Sequence, residues 1–397
     1  MTLLPHFEVW CLKFGGRLPG LSLRRVHPWV IFLALNFIGP ALSLAEPAPT
    51  LKDAYRGCFL IGAAINRNQF YDDDPRGVPI IKAQFDSITP ENILKWESIH
   101  PKSDAYDFDA PDRYIEFGEK NHMTIIGHTL VWHSQTPRWV FQNDKGDPVD
   151  RETLLNRMRD HIHTVVGRYK GRIKGWDVVN EALNDDGSLR QSRWMKIIGE
   201  DYIAKAFQYA HEADPAADLH YNDYSLEKEP KRKGAVALIT KLKAQGVPIT
   251  AVGLQCHVKM EWPTPEEEDA TIAAFATLGV KVMVTELDVD VIPATQANRT
   301  ADISQTGQAQ AGFNRNPYSN GLPDSVQQAL AKRYGELFAV YAKHHNDITR
   351  VTFWGVTDGD SWLNSRGRVN YPLLFDRKGQ PKPAFDAVIK AALTPKS

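Results

Sequence analysis

Short apolar runs recur along the chain and alternate with segments of helical periodicity. Most positions in eight of these runs are hydrophobic, as is typical of strands buried on both faces of a parallel sheet. The eight runs are residues 58–62, 84–89, 123–127, 173–179, 218–221, 249–254, 281–285 and 349–354. Between them, apolar side chains at three-to-four spacing predict helices over 152–169, 202–213 and 326–342. Eight strand–helix repeats predict an α/β fold, a single closed (β/α)8 TIM barrel.

Two further segments are marked by their local composition. Thr264, Pro265 and Glu267 supply the N-cap, the first-turn proline and the third-position glutamate of a capping box, which predicts the start of a helix. Residues 288–323 are polar and rich in Asn, Gln, Ser and Thr. This composition predicts one long irregular loop, of the kind that is usually functional or mobile.

The N-terminal segment has the pattern of a secretory signal. A basic pair at 24–25 precedes the apolar run 29–38, and small residues at 43–45 provide a cleavage site. The interpretation is a signal peptide over residues 1–45, with an overlong start or an extended basic region, and a single catalytic barrel domain over 46–397. The protein is then expected to be secreted or periplasmic. A membrane anchor is the alternative, although the apolar run is short for a membrane span.

Composition narrows the class of protein. Of the 397 residues, 43% are hydrophobic and 24% are charged, which excludes intrinsic disorder and allows a sizeable core. The 47 basic residues are balanced by 48 acidic ones. A nucleic-acid partner is therefore not expected, because such proteins usually carry a basic surplus.

Two glutamates follow apolar runs directly. Glu181 is the last residue of the segment GWDVVNE (175–181), and Glu286 is the last residue of VMVTE (282–286). Burying a charge at the end of a strand costs free energy, so each glutamate is expected to have either a functional role or an ion-pair partner. Two carboxylates, one protonated and one ionised, can cleave a glycosidic bond. Asn180 would then bond the 2-hydroxyl of the sugar, and His257 would hold Glu286 ionised and oriented.

Seven segments resemble one known family, in the family's order. They are ENILKW (91–96), GHTLVWHSQTP (127–137), WDVVNEA (176–182), YNDY (221–224), QCH (255–257), TELD (285–288) and WGVTDGDSW (354–362). On these residues the chain resembles a glycoside hydrolase family 10 endo-β-1,4-xylanase. The resemblance implies a (β/α)8 barrel and cleavage of xylan or xylo-oligosaccharides with retention of anomeric configuration, by a chemistry that needs no metal or other cofactor. The protein is expected to be a monomer.

The resemblance also implies roles for particular residues. Glu181 would be the acid/base that donates the proton, and Glu286 the nucleophile. Glu91, Asn92 and Lys95 would bind a xylose on the glycone side. The full set of implied substrate-binding residues is Glu91, Asn92, Lys95, His128, Trp132, Gln135, Asn180, Tyr221, Gln255, His257, Trp354 and Trp362. The two tryptophans of the last motif are expected to be partly exposed walls of the cleft.

Two other interpretations stay open at this point. A barrel β-1,4-glucanase or mannanase also carries an Asn-Glu pair and a later glutamate, but the order of the motifs at 91–95 and 128–133 disfavours it. A non-catalytic sugar-binding barrel is the other, although both carboxylates and Asn180 are present. The spacing of His128 and His133 would suit a metal, yet both lie in a sugar-binding motif. Residues 292–323 match no family motif, so contacts on the leaving-group side are not predicted.

Overall fold

Nine parallel strands among the described residues form one sheet that closes on itself. In the computed structural model these residues are 49–293 and 316–393. Eight of the strands make the barrel wall, because Leu60–Ile65 pairs with Ile348–Phe353 and Ala251–Leu254 pairs with Lys281–Asp290. The strands are β1 (Leu60–Ile65), β2 (Ser87–Pro90), β3 (Thr124–Trp132), β4 (Gly175–Asn180), β5 (Asp218–Asp223), β6 (Ala251–Leu254), β7 (His257–Lys259), β8 (Lys281–Asp290) and β9 (Ile348–Phe353). The predicted (β/α)8 barrel is confirmed.

Helices occupy the connections between the strands. The three predicted helices are present at Arg151–Arg168, Tyr202–Ala213 and Asp324–Lys343, and the predicted capping box lies at the start of the helix Pro265–Ala276. There the Glu267 amide donates to the Thr264 hydroxyl at 3.2 Å, and the Thr264 amide donates to the Glu267 carboxylate at 2.8 Å. The helices are α1 (Leu51–Ala54), α2 (Arg67–Phe70), α3 (Gly77–Gln84), α4 (Trp96–Ile99), α5 (Asp109–Lys120), α6 (Arg138–Phe141), α7 (Arg151–Arg168), α8 (Arg193–Ile198), α9 (Tyr202–Ala213), α10 (Glu229–Ala244), α11 (Pro265–Ala276), α12 (Asp324–Lys343) and α13 (Pro383–Leu393), with a 3-10 helix at Trp362–Gly367.

Several strands run further than their apolar runs indicated. β3 continues to Trp132, and β8 continues to Asp290. Glu286 therefore lies inside β8 and not directly after it, which corrects the expected position. The extension of β8 comes from pairing with β7, which the sequence pattern did not indicate. For the same reason the irregular stretch begins after Asp290 and not at residue 288.

Close packing between β3 and β4 accounts for one glycine in the motif at 127–137. A Cβ added to Gly127 would lie 2.1 Å from Cε3 of Trp176, a fully buried side chain on β4. Glycine is needed here because the indole occupies the space of a side chain. The Trp176 ring on β4 thus packs against Gly127 on β3, and both strands carry residues of the cleft.

Some predictions fall outside the described residues. The signal peptide over 1–45 and its boundary with the 46–397 domain lie within residues 1–48, and most of the irregular stretch lies within 294–315. These remain predictions. In the part of the chain that is described, no helix is long and apolar enough to cross a membrane.

Candidate active site

A cleft of about 250 Å³ opens at the carboxyl ends of the barrel strands. This is the face on which barrel enzymes carry their chemistry, because the loops after all eight strands meet there. With one exception, every site residue expected from the sequence lines this cleft. The lining residues are Glu91, Asn92, Lys95, His128, Trp132, Gln135, Asn180, Glu181, Gln255, His257, Glu286, Trp354, Asp360 and Trp362.

The exception is Tyr221. Its side chain is fully buried and does not line the cleft, and its hydroxyl donates to the carboxylate of Asp223. The expectation that Tyr221 contacts substrate directly is wrong. The reason is strand alternation, because neighbouring side chains on β5 point to opposite faces of the sheet.

Glu181 directly follows β4 in a left-handed backbone conformation, with φ of +56°. Its amide donates to the carbonyl of Asn222 on the neighbouring strand at 2.9 Å. The carboxylate accepts from Trp132 Nε1 at 2.8 Å and from Gln255 Nε2 at 3.1 Å. Asn180 Nδ2 lies 3.4 Å from the same carboxylate, and His133 Nδ1 lies 3.9 Å from it. These neighbours hold the carboxyl group in one orientation.

The environment of Glu181 favours its neutral form. Burial raises the pKa of Glu181, and the negative charge of Glu286 raises it further, while the hydrogen bonds from Gln255 and Trp132 oppose the rise. The pKa remains above the usual value for a glutamate. A carboxyl group that stays protonated at mildly acidic pH is suited to donating a proton.

Glu286 meets a different set of partners. Asn222 Nδ2 donates to Glu286 Oε1 at 2.8 Å, and His257 Nε2 lies 3.2 Å from Oε2. The other ring nitrogen of His257 lies 3.1 Å from Asp288 Oδ1. Burial alone would lower the pKa of His257, but the charges and hydrogen bonds of Asp288 and Glu286 raise it to about 10. The imidazole is therefore a cation between two carboxylates.

This cation is one of the groups that keep Glu286 ionised. Burial raises the pKa of Glu286, but the hydrogen bond from His257, the charges of His128 and His257 and the hydrogen bond from Asn222 outweigh it and hold the pKa below its usual value. The expected contact between His257 and Glu286 is confirmed. The cleft thus contains one carboxyl group favoured as the acid and one favoured as the anion, which are the two forms that glycoside cleavage needs.

Asn222 links the two carboxyl groups. The Nδ2 group of Asn222 donates to Asn180 Oδ1 at 2.9 Å as well as to Glu286, and its own Oδ1 accepts from Thr285 at 2.7 Å. These bonds fix the Asn180 amide so that its Nδ2 faces Glu181. Asn222 was not among the expected site residues. The available signal was its position directly after the apolar run 218–221, inside the YNDY segment. The structure pairs Asn222 with Asn180 across β4 and β5.

His128 is held from behind by Asp177. The buried Asp177 carboxylate lies 2.9 Å from Nδ1 of His128 and 3.2 Å from Nδ1 of His220. Burial opposes ionisation of Asp177, but the two histidines hold its pKa well below the usual range. The Nδ1 edge of His128 is therefore occupied, and the Nε2 edge is the one that faces away from Asp177.

Three charged side chains of the cleft, Glu91, Lys95 and Asp360, influence one another. Lys95 Nζ donates to Asn92 Oδ1 at 2.9 Å and lies 5.1 Å from the centroid of the Trp132 ring. Burial and the nearby Asp360 raise the pKa of Glu91 to about 7, against the opposing charge of Lys95. Asp360 also lines the cleft, although it was not expected as a site residue. Its position inside the WGVTDGDSW segment was the available signal.

Two tryptophans form walls of the cleft, as expected. Trp354 and Trp362 are both partly exposed and both line the cleft together with Glu181. Trp362 Nε1 donates to Asp288 Oδ2 at 2.7 Å, and its ring centroid lies 4.9 Å from that of His257. The Trp354 ring lies edge-on to His128, with centroids 5.4 Å apart. Flat partly exposed indoles beside polar groups suit a sugar ring, which has both apolar and polar faces.

The whole barrel matches a known family. The profile of Glycosyl hydrolase family 10 matches residues 50–391. The chain belongs to glycosyl hydrolase family 10.

Named family 10 relatives cover most of the chain. It is 46% identical to Endo-1,4-beta-xylanase A of Xylanibacter ruminicola, over 88% of this chain and 95% of that protein. It is 43% identical to the Beta-1,4-xylanase of Dictyoglomus thermophilum, over 86% of this chain and 91% of that one. A solved family 10 endoxylanase from a sugarcane soil metagenome superposes with a TM-score of 0.80 at 45% identity, covering 86% of this chain and 99% of that chain.

One further cluster in this family 10 chain has the residue types of a metal site. Among the described residues, Glu227, Cys256 and Glu268 place possible ligand atoms within 4.8 Å of one another, and all three are buried. The Cys256 thiol lies 3.3 Å from Glu268 and 3.5 Å from Glu227. Burial and the charge of Glu227 raise the pKa of Glu268 to about 8. The raised pKa of Glu268 indicates that this carboxyl group keeps a proton, which it can share with Glu227 and Cys256. None of the three residues lines the cleft.

Proposed function

We propose that this family 10 protein is an endo-1,4-β-xylanase that hydrolyses internal β-1,4-xylosidic bonds of xylan with retention of configuration. Its named relatives at 46% and 43% identity are xylanases. The observation that carries the proposal is the opposite bias of the two buried carboxyl groups. The pKa of Glu181 is raised and that of Glu286 is lowered, within one cleft.

In the first step Glu286 is the nucleophile and Glu181 the acid. A carboxylate oxygen of Glu286 bonds to the anomeric carbon while the glycosidic C–O bond breaks. The proton of Glu181 passes to the leaving oxygen, so the departing chain leaves as a neutral alcohol. The cation of His257 and the amide of Asn222 keep Glu286 ionised and aimed before the attack.

In the second step Glu181 acts as the base. Ester formation removes the negative charge of Glu286, which had raised the pKa of Glu181, so that pKa falls. The Glu181 carboxylate then takes a proton from water, and the resulting hydroxide displaces Glu286 from the anomeric carbon. Two inversions give net retention, and both carboxyl groups return to their starting states.

The remaining cleft residues bind the xylose units. Asn180 is proposed to bond the 2-hydroxyl at the cleavage point, where such a contact strengthens in the transition state. His128 and Trp132 belong to the same subsite. Glu91, Asn92 and Lys95 are proposed to bind the next xylose on the glycone side, and the partly exposed faces of Trp354 and Trp362 flank the sugars.

We further propose that the protein is exported and acts as a monomer. The basic pair, apolar run and small-residue site within residues 1–45 support removal of a signal peptide. Mass spectrometry of the protein recovered from the periplasm and from the medium tests this, since cleavage after residue 45 predicts a mature N-terminus at Glu46. Light scattering of that protein at several concentrations tests the monomer.

Substrate class is tested by a reducing-sugar assay on xylan, carboxymethylcellulose and mannan. The expected result is release of xylo-oligosaccharides of mixed length from xylan, with the other two polymers at least about tenfold slower. Proton NMR during early hydrolysis of xylohexaose should show the β-anomer of the new reducing end first. Faster cleavage of cellulose or mannan would assign the cleft to another β-1,4-glycan, and an initial α-anomer would exclude double displacement.

A further inference from the structure

We infer that the buried ion pair of Asp223 and Lys231 is a positioning element for the acid/base carboxyl group of Glu181. Lys231 Nζ lies 2.8 Å from Asp223 Oδ1, and both side chains have 0% exposure. Neither residue lines the cleft, so neither touches substrate. The inference rests on the proposed function, because it takes Glu181 as the acid and base.

Asp223 holds the turn that carries Glu181. Its carboxylate accepts the backbone amide of Leu183 at 3.3 Å and that of Tyr224 at 2.9 Å. Leu183 is two residues beyond Glu181, whose φ of +56° lies in a region that non-glycine residues rarely adopt. Such a conformation persists only where the surroundings maintain it. The Asp223 carboxylate is one of the groups that maintain it.

Asp223 also positions Gln255, which donates a hydrogen bond to Glu181. Its backbone carbonyl accepts the amide of Gln255 at 3.0 Å, and the Gln255 side chain donates to Glu181 Oε1 at 3.1 Å. The side chain of Asp223 therefore contacts the turn after Glu181, while its main chain contacts the residue that orients the Glu181 carboxyl group. A shift of Asp223 would move both.

Lys231 supplies the cation that Asp223 needs. A buried carboxylate without a partner is strongly unfavourable, so it either moves or takes a proton. The Lys231 ammonium also lies 3.3 Å from the centroid of the Tyr224 ring and 3.9 Å from Asp185 Oδ1. Arg190 completes this wall, donating to the Tyr224 hydroxyl at 2.7 Å and to the Glu181 carbonyl at 3.1 Å.

The charge of the pair reaches Glu181. Burial raises the pKa of Glu181, and the positive charge of Lys231 lowers it. Burial and the negative charge of Glu181 raise the pKa of Asp223, against the ammonium of Lys231. Other charged or titratable groups around the pair are Asp185, Arg190, Tyr202, Tyr221 and Glu227. Asp185 is itself paired with Lys228.

Removing either partner alone should therefore move the basic limb of the pH–rate profile, in opposite directions. In Lys231→Met the loss of a positive charge should raise the pKa of Glu181 and move the limb up by about half a pH unit or more. In Asp223→Asn the ammonium is left unopposed, so the limb should move down by about as much. The double variant, which is neutral at both positions, should return the limb toward that of the unchanged protein.

A second readout separates positioning from folding. General acid catalysis contributes about 10²–10⁴-fold, and a leaving group that departs readily needs little of it. In Lys231→Met, kcat/KM on xylohexaose should fall about tenfold or more, while that on a dinitrophenyl xylobioside should fall less than about threefold. A merely unfolded fraction would reduce both substrates equally and leave the pH limbs in place.

The matched control is the buried pair of Lys382 and Asp358. Lys382 Nζ lies 3.0 Å from Asp358 Oδ2, and both side chains are buried. Lys382→Met should lower the melting temperature without moving the basic limb. Unmoved limbs in both single variants at Asp223 and Lys231, with equal losses on the two substrates, would overturn the inference. If Lys231→Met does not fold, the downward shift in Asp223→Asn decides alone. Absence of xylan hydrolysis by the unchanged protein would instead refute the proposed function.

Discussion

His257 and Glu286 form an ion pair, with 3.2 Å between Nε2 and Oε2. The imidazole is also paired with Asp288 at 3.1 Å, which raises its pKa to about 10. The cation is thus maintained by two carboxylates and remains charged throughout the neutral range. This positive charge is in contact with Glu286 and therefore helps to keep that carboxylate ionised although it is buried.

Replacing His257 should move the acidic limb of the pH–rate profile. In His257→Gln the amide can still donate to Glu286, but the positive charge is lost, so the pKa of Glu286 should rise. Since the nucleophile must be ionised, activity should be lost at a higher pH than before, by about one pH unit. The measurement is kcat/KM on an aryl xylobioside across pH 3–9.

His163 is the matched control for that experiment. His163 Nε2 lies 3.1 Å from Glu212 in a solvent-accessible pair outside the cleft. His163→Gln should leave both limbs of the profile unchanged. An acidic limb that does not respond to His257→Gln would show that other groups, Asn222 among them, keep Glu286 ionised.

The two glutamates should differ in how they respond to replacement by alanine. Glu181→Ala should still form the glycosyl ester from a dinitrophenyl xylobioside, because that leaving group needs little protonation. Hydrolysis of the ester should then be slow, about 10²–10⁴-fold below normal, since the base is missing. A burst of dinitrophenol followed by a slow phase is the expected trace, and azide should speed the slow phase.

Glu286→Ala should show neither burst nor faster hydrolysis to a retained product, because no nucleophile remains. Azide in that variant should give the α-glycosyl azide at most, while in Glu181→Ala it should give the β-azide. The opposite assignment of these products to the two variants would reverse the roles of Glu181 and Glu286.

The indole N–H of Trp362 should matter separately from its flat face. Trp362 Nε1 donates to Asp288 Oδ2 at 2.7 Å, and Asp288 contacts His257 in turn. Trp362→Phe keeps an aromatic wall but removes this hydrogen bond. The free energy of unfolding should fall by about 1–3 kcal/mol, because the buried Asp288 oxygen loses its donor. We expect a modest rise in KM with Phe, and a rise of about tenfold or more with Ala. Equal KM values for the two variants would indicate that the ring face contributes little to binding.

Acid sensitivity should arise from the buried histidine pair His100 and His161. Nδ1 of His100 lies 3.2 Å from Nδ1 of His161, and the His161 ring stacks on Trp96 with centroids 3.7 Å apart. Burial lowers the pKa of both histidines, that of His161 most strongly. Below a pH of about 6.5 these two histidines therefore bind more protons in the unfolded chain than in the folded one, and their contribution to the free energy of unfolding falls as pH falls.

The loss should approach about 1.4 kcal/mol per pH unit for each histidine that stays neutral in the fold. His161→Phe retains a stacked ring and removes one titrating group, so its free energy of unfolding should fall less steeply between pH 6.5 and 5. Urea unfolding at several pH values gives the slope directly. His211→Gln, at an exposed position, should keep the slope of the unchanged protein. An unchanged slope in His161→Phe would assign the acid sensitivity to other groups.

The architecture and most of the cleft could be predicted from local pattern. Eight apolar runs predicted the eight barrel strands, because a strand buried on both faces must be hydrophobic at nearly every position. Glu91, Lys95, Trp132 and Trp354 were expected from their motifs to bind substrate, and all four line the one cleft. The type of a residue and its position relative to a strand are local properties, so both can be read directly from the sequence.

What only the tertiary structure decided depends on distances between strands. Tyr221 belongs to a cleft motif but points away from the cleft, while its neighbour Asn222 joins Asn180 to Glu286. Glu181 and Glu286 are chemically identical in the sequence. They acquire opposite protonation preferences only because one is buried near a negative charge and the other contacts a histidine cation. Burial and electrostatic interactions between distant parts of the chain exist only once the barrel has closed.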